Sequence, residues 1–214
     1  MRHDTAVRRL RTIAEDCDKL SPLLDGHGGL FAVYAFGPVL DHLGEELDAV
    51  NIALVLQLPA AELPWGVETP GCFSLAHLLR LDKSPVLRRW RPAEWPVTNH
   101  EIRRPLLIWS REDGVQKAAL DALAEQRPEP FRLAETEDDA LAEQVSRELE
   151  ASLTHLRAVR RDWDDIAWRR SHRGYGVYPE DHLWQAVDGY LDLLDASAST
   201  PAQMRSADGG AGRE

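Results

Sequence analysis

Two acids, Glu46 and Asp48, are separated by one apolar residue and are the side chains best suited to chemistry. Residues two apart on a strand project from the same side, so both carboxylates could hold one divalent cation such as Mg²⁺. Gly37 and Pro38 precede them and predict a turn whose backbone amides could contact phosphate. Glu101 lies just before a later apolar run. The alternative is that the acids form only a solvated loop.

A second candidate site is the basic cluster Arg169, Arg170 and Arg173, followed by Tyr175. Guanidinium forks and an aromatic face suit a phosphate or a nucleotide base, which would make these residues ligand-binding. The alternative is that the cations complement the carboxyl end of a helix. His172 and His182 flank the same loop and could meet in space, although no histidine spacing typical of a metal site is present.

Three apolar runs predict the strands that would position these side chains. Residues 30–36 and 50–58 are almost wholly apolar, as in strands covered on both faces. Residues 102–109 predict a third strand, and Pro105 favours an edge position or a start near Leu106. Residues 90–99 contain two Pro and two Trp and predict an irregular covering loop.

Apolar residues at helical spacing predict the remaining elements. Helices are expected over 4–20, ended by Ser21-Pro22, over 73–81 with Ser74 as cap, and over 113–126. One face of apolar residues runs from 138 to 170 and predicts a single long helix, and a further helix opens at Pro179. Two helices joined by a short loop are expected to pack antiparallel.

The strand, the Gly turn and the second strand opening with acids resemble the nucleotidyltransferase fold family. In that family a Gly turn holds triphosphate oxygens, an acid-apolar-acid motif binds the metal, and a third acid acts on the attacking hydroxyl. The resemblance implies that Gly37 contacts phosphate, Glu46 and Asp48 bind Mg²⁺, and Glu101 is catalytic. In a second register the motif positions fall on Asn51-Ile52-Ala53, and both metal ligands are absent.

These elements predict an α/β (α+β) protein, with a small mixed sheet flanked by helices and a C-terminal antiparallel helical hairpin. We expect a nucleotidyltransferase-like domain over 1–127, the hairpin over 138–196, and a disordered, polar, Gly-rich tail over 197–214.

Composition limits the classes of function. A net charge of −11 argues against general nucleic-acid binding, because phosphate backbones require a basic surface. No apolar run is long enough for a membrane helix, and the charged N-terminus does not resemble a signal peptide. Cys17 and Cys72 lack metal-binding spacing and are typical of buried thiols. We therefore expect a cytoplasmic protein, and the excess of Arg over Lys indicates a bacterial source.

Two functions remain open at this point. The first is a nucleotidyltransferase-like protein that binds a nucleotide or a small phosphorylated ligand, with or without catalysis. The second is a non-catalytic interaction protein, a pseudoenzyme that binds a protein partner or its own second copy. This second function would use the helical hairpin and the Trp-rich loop around Trp90 and Trp95.

Overall fold

The computed structural model describes residues 1–24, 29–43, 45–83, 85–174 and 177–199. The chain divides into two compact units. The first contains Met1–Leu63 and Glu68–Glu135, and the second contains Pro64–Val67 together with the chain from Thr136 onward. Residues 64–67 lie between the two parts of the first unit along the chain. They nevertheless belong to the unit that contains the C-terminal helices.

A five-stranded mixed sheet forms the centre of the first unit. Its strands are β1 (Leu30–Phe36), β2 (Val50–Leu56), β3 (Val86–Pro92), β4 (Leu106–Ser110) and β5 (Gly114–Val115), in the order β3-β2-β1-β4-β5. The β2–β3 pair is parallel and the other pairs are antiparallel. The predicted α/β class with a small mixed sheet flanked by helices is confirmed.

Four helices belong to the first unit: α1 (His3–Leu24), α2 (Pro38–Asp41), α3 (Pro70–Leu78) and α4 (Lys117–Ala124). The apolar stripe of α1, including Leu10, Ile13 and Cys17, is fully buried in the core. The predicted end at Ser21-Pro22 is wrong, because α1 continues to Leu24. Pro22 lies in the last turn, where it can break few of the helix's hydrogen bonds.

The loop predicted over residues 90–99 is partly wrong, because its first residues complete strand β3. Its three arginines are untypical of a buried strand, but each has a polar partner in the fold. Arg88 contacts Glu68 at 2.8 Å and Asp82 at 2.9 Å. Arg91 is only 1% exposed and donates a hydrogen bond from Nη2 to the Pro96 carbonyl. Polar partners elsewhere in the fold thus allow a charged segment to pair beside β2.

Several predicted boundaries shift. Strand β2 ends at Leu56 instead of residue 58, whereas β4 begins at Leu106, as Pro105 indicated. Helix α3 starts earlier than predicted, since the Thr69 hydroxyl caps it by accepting from the Cys72 amide, and Ser74 instead donates to the Pro70 carbonyl. The helix predicted over 113–126 is reduced to α4, because its first residues form β5.

Three helices form the second unit: α5 (Asp138–Asp162), α6 (Ile166–Ser171) and α7 (Pro179–Ser199). Helices α5 and α7 pack against each other, as expected for the C-terminal pair. The single helix predicted over 138–170 is wrong. The Asp165 carboxylate accepts from the Ala167 amide at 2.6 Å and the Trp168 amide at 3.2 Å, and thereby starts α6 as a new helix.

Helix α7 includes residues 197–199 of the predicted disordered tail, and residues 200–214 lie outside the described part of the chain. None of the described helices combines the length and apolar character that crossing a membrane requires.

Candidate functional site

The turn after β1 is built on Gly37. Its backbone has φ 68° and ψ −143°, a conformation that L-residues with a side chain rarely adopt. A Cβ atom at this position would lie 3.1 Å from Nδ2 of Asn51. The Gly turn therefore faces the amide of Asn51 at the start of β2. Pro38, the first residue of α2, has no backbone N–H to offer a ligand.

The strand register places a row of side chains on the same face as Asn51. Ala53 lies two residues further along β2 and therefore projects from that face. Tyr34 of β1 and Arg89 of β3 are the residues directly opposite Ala53 on its two sides. Tyr34 and Arg89 are half-buried, and burial raises the pKa of the Tyr34 hydroxyl. We call Tyr34, Asn51, Ala53 and Arg89 the sheet-face row.

Glu101 is held beside this row by an ion pair. Nε and Nη2 of Arg89 both lie 2.8 Å from Oε2 of Glu101. The loop that carries Glu101 is fixed by Asn99, whose Oδ1 accepts from the amides of Glu101 and Ile102. Glu101 thus lies close to the sheet, and its carboxylate is engaged by a guanidinium. Its catalytic role stays a prediction.

Glu46 and Asp48 lie in the loop before β2, and not on the strand. Leu47 between them is buried, and it exchanges two backbone hydrogen bonds with Met1. Both acids are exposed. The alternation of side chains along a strand therefore does not bring the two carboxylates together. Across the described ranges no group of three or more His, Cys, Asp or Glu side chains is arranged to hold a metal. The metal-binding role of Glu46 and Asp48 stays a prediction.

The basic cluster lies at the end of α6 in the second unit. Nη2 of Arg169 is 2.8 Å from Oε1 of Glu180, and its guanidinium lies 4.8 Å from the ring centre of Trp163. Arg170 and Arg173 are exposed. Tyr175, predicted to complete this site, lies outside the described residues. The ligand-binding role of the cluster also stays a prediction.

Histidines gather next to that cluster. The rings of His172 and His182 are 5.0 Å apart and perpendicular, and Trp168 stacks on His172 at 4.1 Å. Nδ1 of His172 is 2.9 Å from the Trp168 carbonyl. Burial, followed by the charges of His182 and His172, lowers the pKa of His155. The sequence had suggested that His172 and His182 could meet, but gave no reason to include His155 or Trp168.

Burial is also the main cause of the lowered pKa of His182. The charge of His172 adds to the lowering, and Asp181 opposes it. The imidazoles of His155 and His182 therefore favour their neutral forms in the folded chain. We call His155, His172 and His182 the histidine cluster.

Each site has a distinct chemical capacity. The sheet-face row offers a guanidinium, an amide and a phenol beside a Gly turn, which are groups that bind anions. The histidine cluster offers imidazoles, whose ring nitrogens can donate or accept hydrogen bonds.

Comparison with known proteins gives one family and one structural likeness. No curated protein matches the chain. The crystal structure of a candidate nucleotidyltransferase from Sulfolobus solfataricus is similar over 51% of this chain and 91% of its own, at 15% identity and a TM-score of 0.32. That likeness is too weak to support an inference about activity. The family model for a domain of unknown function, DUF7711, matches residues 1–199, and the chain therefore belongs to the DUF7711 family.

Proposed function

We propose that this protein is a nucleotidyltransferase-like scaffold that binds a phosphorylated ligand, such as a nucleotide, without transferring a nucleotidyl group. The ligand would bind at the sheet-face row. The observation that carries the proposal is that Arg89 lies directly opposite Ala53, on the sheet face to which Asn51 and the Gly37 turn belong.

The contact between Gly37 and Asn51 supports the second of the two registers. In that register Asn51 and Ala53 take the positions where the fold family carries its metal-binding acids. An amide and a methyl group supply no negative charge for a divalent cation. Magnesium therefore does not fit these two positions, and Glu46 and Asp48 are exposed in the preceding loop. The proposed function therefore includes no metal-dependent step.

A guanidinium can perform the electrostatic part of a metal's task. It neutralises phosphate oxygens and donates several hydrogen bonds in a fixed plane. Glu101 restricts the rotation of Arg89 by binding Nε and Nη2. The amide of Asn51 and the backbone at Gly37 add polar contacts on the same side of the sheet. This set can bind phosphate, and the carboxylate of Glu101, the acid predicted to act on an attacking hydroxyl, is engaged by Arg89.

Thermal unfolding with ATP, GTP, pyrophosphate or phosphate tests the binding. At about 100 times its dissociation constant a ligand raises the free energy of unfolding by ~2.7 kcal/mol. We expect the same shift in EDTA as in Mg²⁺, and we expect the double variant R89Q/E101Q to abolish it. R127Q/E125Q removes an exposed ion pair of the same composition and serves as the control. Absence of any shift would exclude the proposed ligand class.

A transfer assay with a nucleotide labelled on its α-phosphate tests the absence of catalysis. We expect no labelled product with Mg²⁺ or Mn²⁺. Transfer that disappears in E46Q/D48N would contradict the proposal and establish the metal role predicted for Glu46 and Asp48.

A second candidate function, binding of a protein partner, is favoured by a different observation. Helix α7 exposes three large apolar side chains, Trp184, Leu191 and Leu194. The Trp-rich loop is a weaker candidate than the sequence suggested. Trp90 belongs to β3, is 5% exposed, and donates its indole N–H to Glu68.

A further inference from the structure

Helix α7 carries an apolar stripe that the described residues leave largely uncovered. Trp184 is 68% exposed, Leu191 49% and Leu194 40%, and Val187 between them is half-buried. Their spacing of three, four and three residues places all four on one side of the helix. We call these four residues the α7 stripe.

The stripe is separate from the face through which α7 already packs. Ala186, Gly189 and Leu193 are buried. Gly189 lies so close to Trp65 that a Cβ atom would overlap the Trp65 carbonyl oxygen, and the Trp65 indole donates to Asp192 at 2.6 Å. The packed face therefore has its own neighbours within the second unit. The α7 stripe is additional apolar surface, of a kind that marks interaction sites.

A row of acids borders the stripe. Asp181, Asp188 and Asp195 recur every seven residues and are exposed. Since a helix turns by about 100° per residue, Asp188 lies roughly 40° around the axis from Trp184. The helix contains no Lys or Arg between Pro179 and Ser199. The residues of α7 that border the stripe on this side therefore carry only negative charge.

We propose that the α7 stripe binds an amphipathic helix of a partner protein whose apolar face is flanked by Lys or Arg. This inference rests on the second candidate function above and names the class of partner. Apolar side chains would supply the burial, and the basic flank would pair with the Asp row. A second copy of α7 is disfavoured because it would bring two rows of aspartates together.

Three synthetic helical peptides test the proposal with the full chain. They share one Leu face, and their flanks are Lys, Gln or Glu. We expect the Lys peptide to bind at least about tenfold more tightly than the Gln peptide, with an affinity that falls as salt rises, and the Glu peptide to bind most weakly. Fluorescence anisotropy of labelled peptides measures the three dissociation constants.

Two variants and a control locate the binding surface. W184A/L191A should weaken the binding of all three peptides. D188N/D195N should reduce only the difference in affinity between the Lys peptide and the Gln peptide. F131A/L133A removes apolar side chains of similar exposure from the first unit and should change nothing.

The other outcomes overturn the inference in distinguishable ways. Equal binding of the three peptides would eliminate the basic partner and leave apolar docking intact. No binding by any peptide would eliminate the helix partner and remove support for the second candidate function. A dimer in light scattering that W184A/L191A dissociates would assign the stripe to a second copy.

Discussion

Gly37 is required for two reasons, its backbone conformation and the close approach of a neighbouring side chain. Its φ of 68° and ψ of −143° lie near a region that essentially only glycine populates. Its missing side chain also allows Asn51 to approach the turn. The sequence alone identifies a turn here, and the structure adds the residue that the turn faces.

We predict that G37A lowers the free energy of unfolding by about 1–3 kcal/mol, because the alanine must adopt a strained backbone conformation. Urea denaturation measures the change. The double variant G37A/N51A separates the two causes, since shortening Asn51 removes the 3.1 Å contact with the new Cβ atom. Full recovery in the double variant would attribute the cost to crowding rather than to the backbone.

At the scale of elements, the start of α6 determines where the histidine cluster forms. Asp165 caps this short helix, and its last turn brings His172 against Trp168. His182 comes from α7 and His155 from α5. Helices α5 and α7 and the C-cap residue of α6 thus contribute one imidazole each.

We predict that the second unit loses stability as the pH falls below about 6.5, the ordinary pKa of histidine. The folded-state pKa values of His155 and His182 are lowered, so the unfolded chain takes up protons first. The stability contribution is complete above that pH and is lost as the pH falls through the lowered values. Asp181, which opposes the shift at His182, limits the effect.

Hydrogen exchange of α7 amides between pH 8 and pH 5, corrected for the intrinsic pH dependence of exchange, measures this loss. The double variant H155Q/H182Q should make the corrected exchange of the α7 amides less dependent on pH. H77Q replaces an exposed histidine of α3 in the first unit and should leave it unchanged. A profile that is the same in wild type and H155Q/H182Q would exclude the histidine cluster as the cause.

At the scale of the whole molecule, chain order and structural units do not coincide. Residues 64–67 lie between β2 and α3 in sequence and belong to the second unit. Gly66 and Gly189 permit this arrangement, because a Cβ on Gly66 would lie 3.1 Å from the Cα of Gly189. The indole of Trp65, bonded to Asp192, reinforces it.

We predict that G189A loosens residues 64–67 together with α7. The new Cβ would lie 2.1 Å from the Trp65 carbonyl oxygen, a backbone atom, so the segment must move. Overpacking of this kind typically costs about 1–3 kcal/mol. Hydrogen exchange by mass spectrometry should show faster exchange in both segments and unchanged exchange in β1 and β2. The exposed neighbour D188A is the control, and uniform acceleration over the whole chain would contradict the division.

Elements whose signal is local can be recognised from the order of the residues alone. The apolar runs at Leu30–Phe36 and from Val50 specified β1 and β2, because a strand buried on both faces carries few polar residues. Apolar residues at a spacing of three and four likewise indicated α1, α5 and α7, because such residues lie on one face of a helix. The residues that could bind phosphate or metal were also visible, since their types and spacings are properties of the chain.

Which of those side chains meet depends on how the elements pack in the folded chain. Strand β3 was not recognised because Arg88 and Arg89 are accommodated there only when Glu68, Asp82 and Glu101 neutralise them. Contacts between residues far apart in sequence likewise pair Gly37 with Asn51 and bring His155 towards His182. Such contacts depend on how the elements pack. The periodicity of apolar residues along the chain indicates the elements but does not specify their packing.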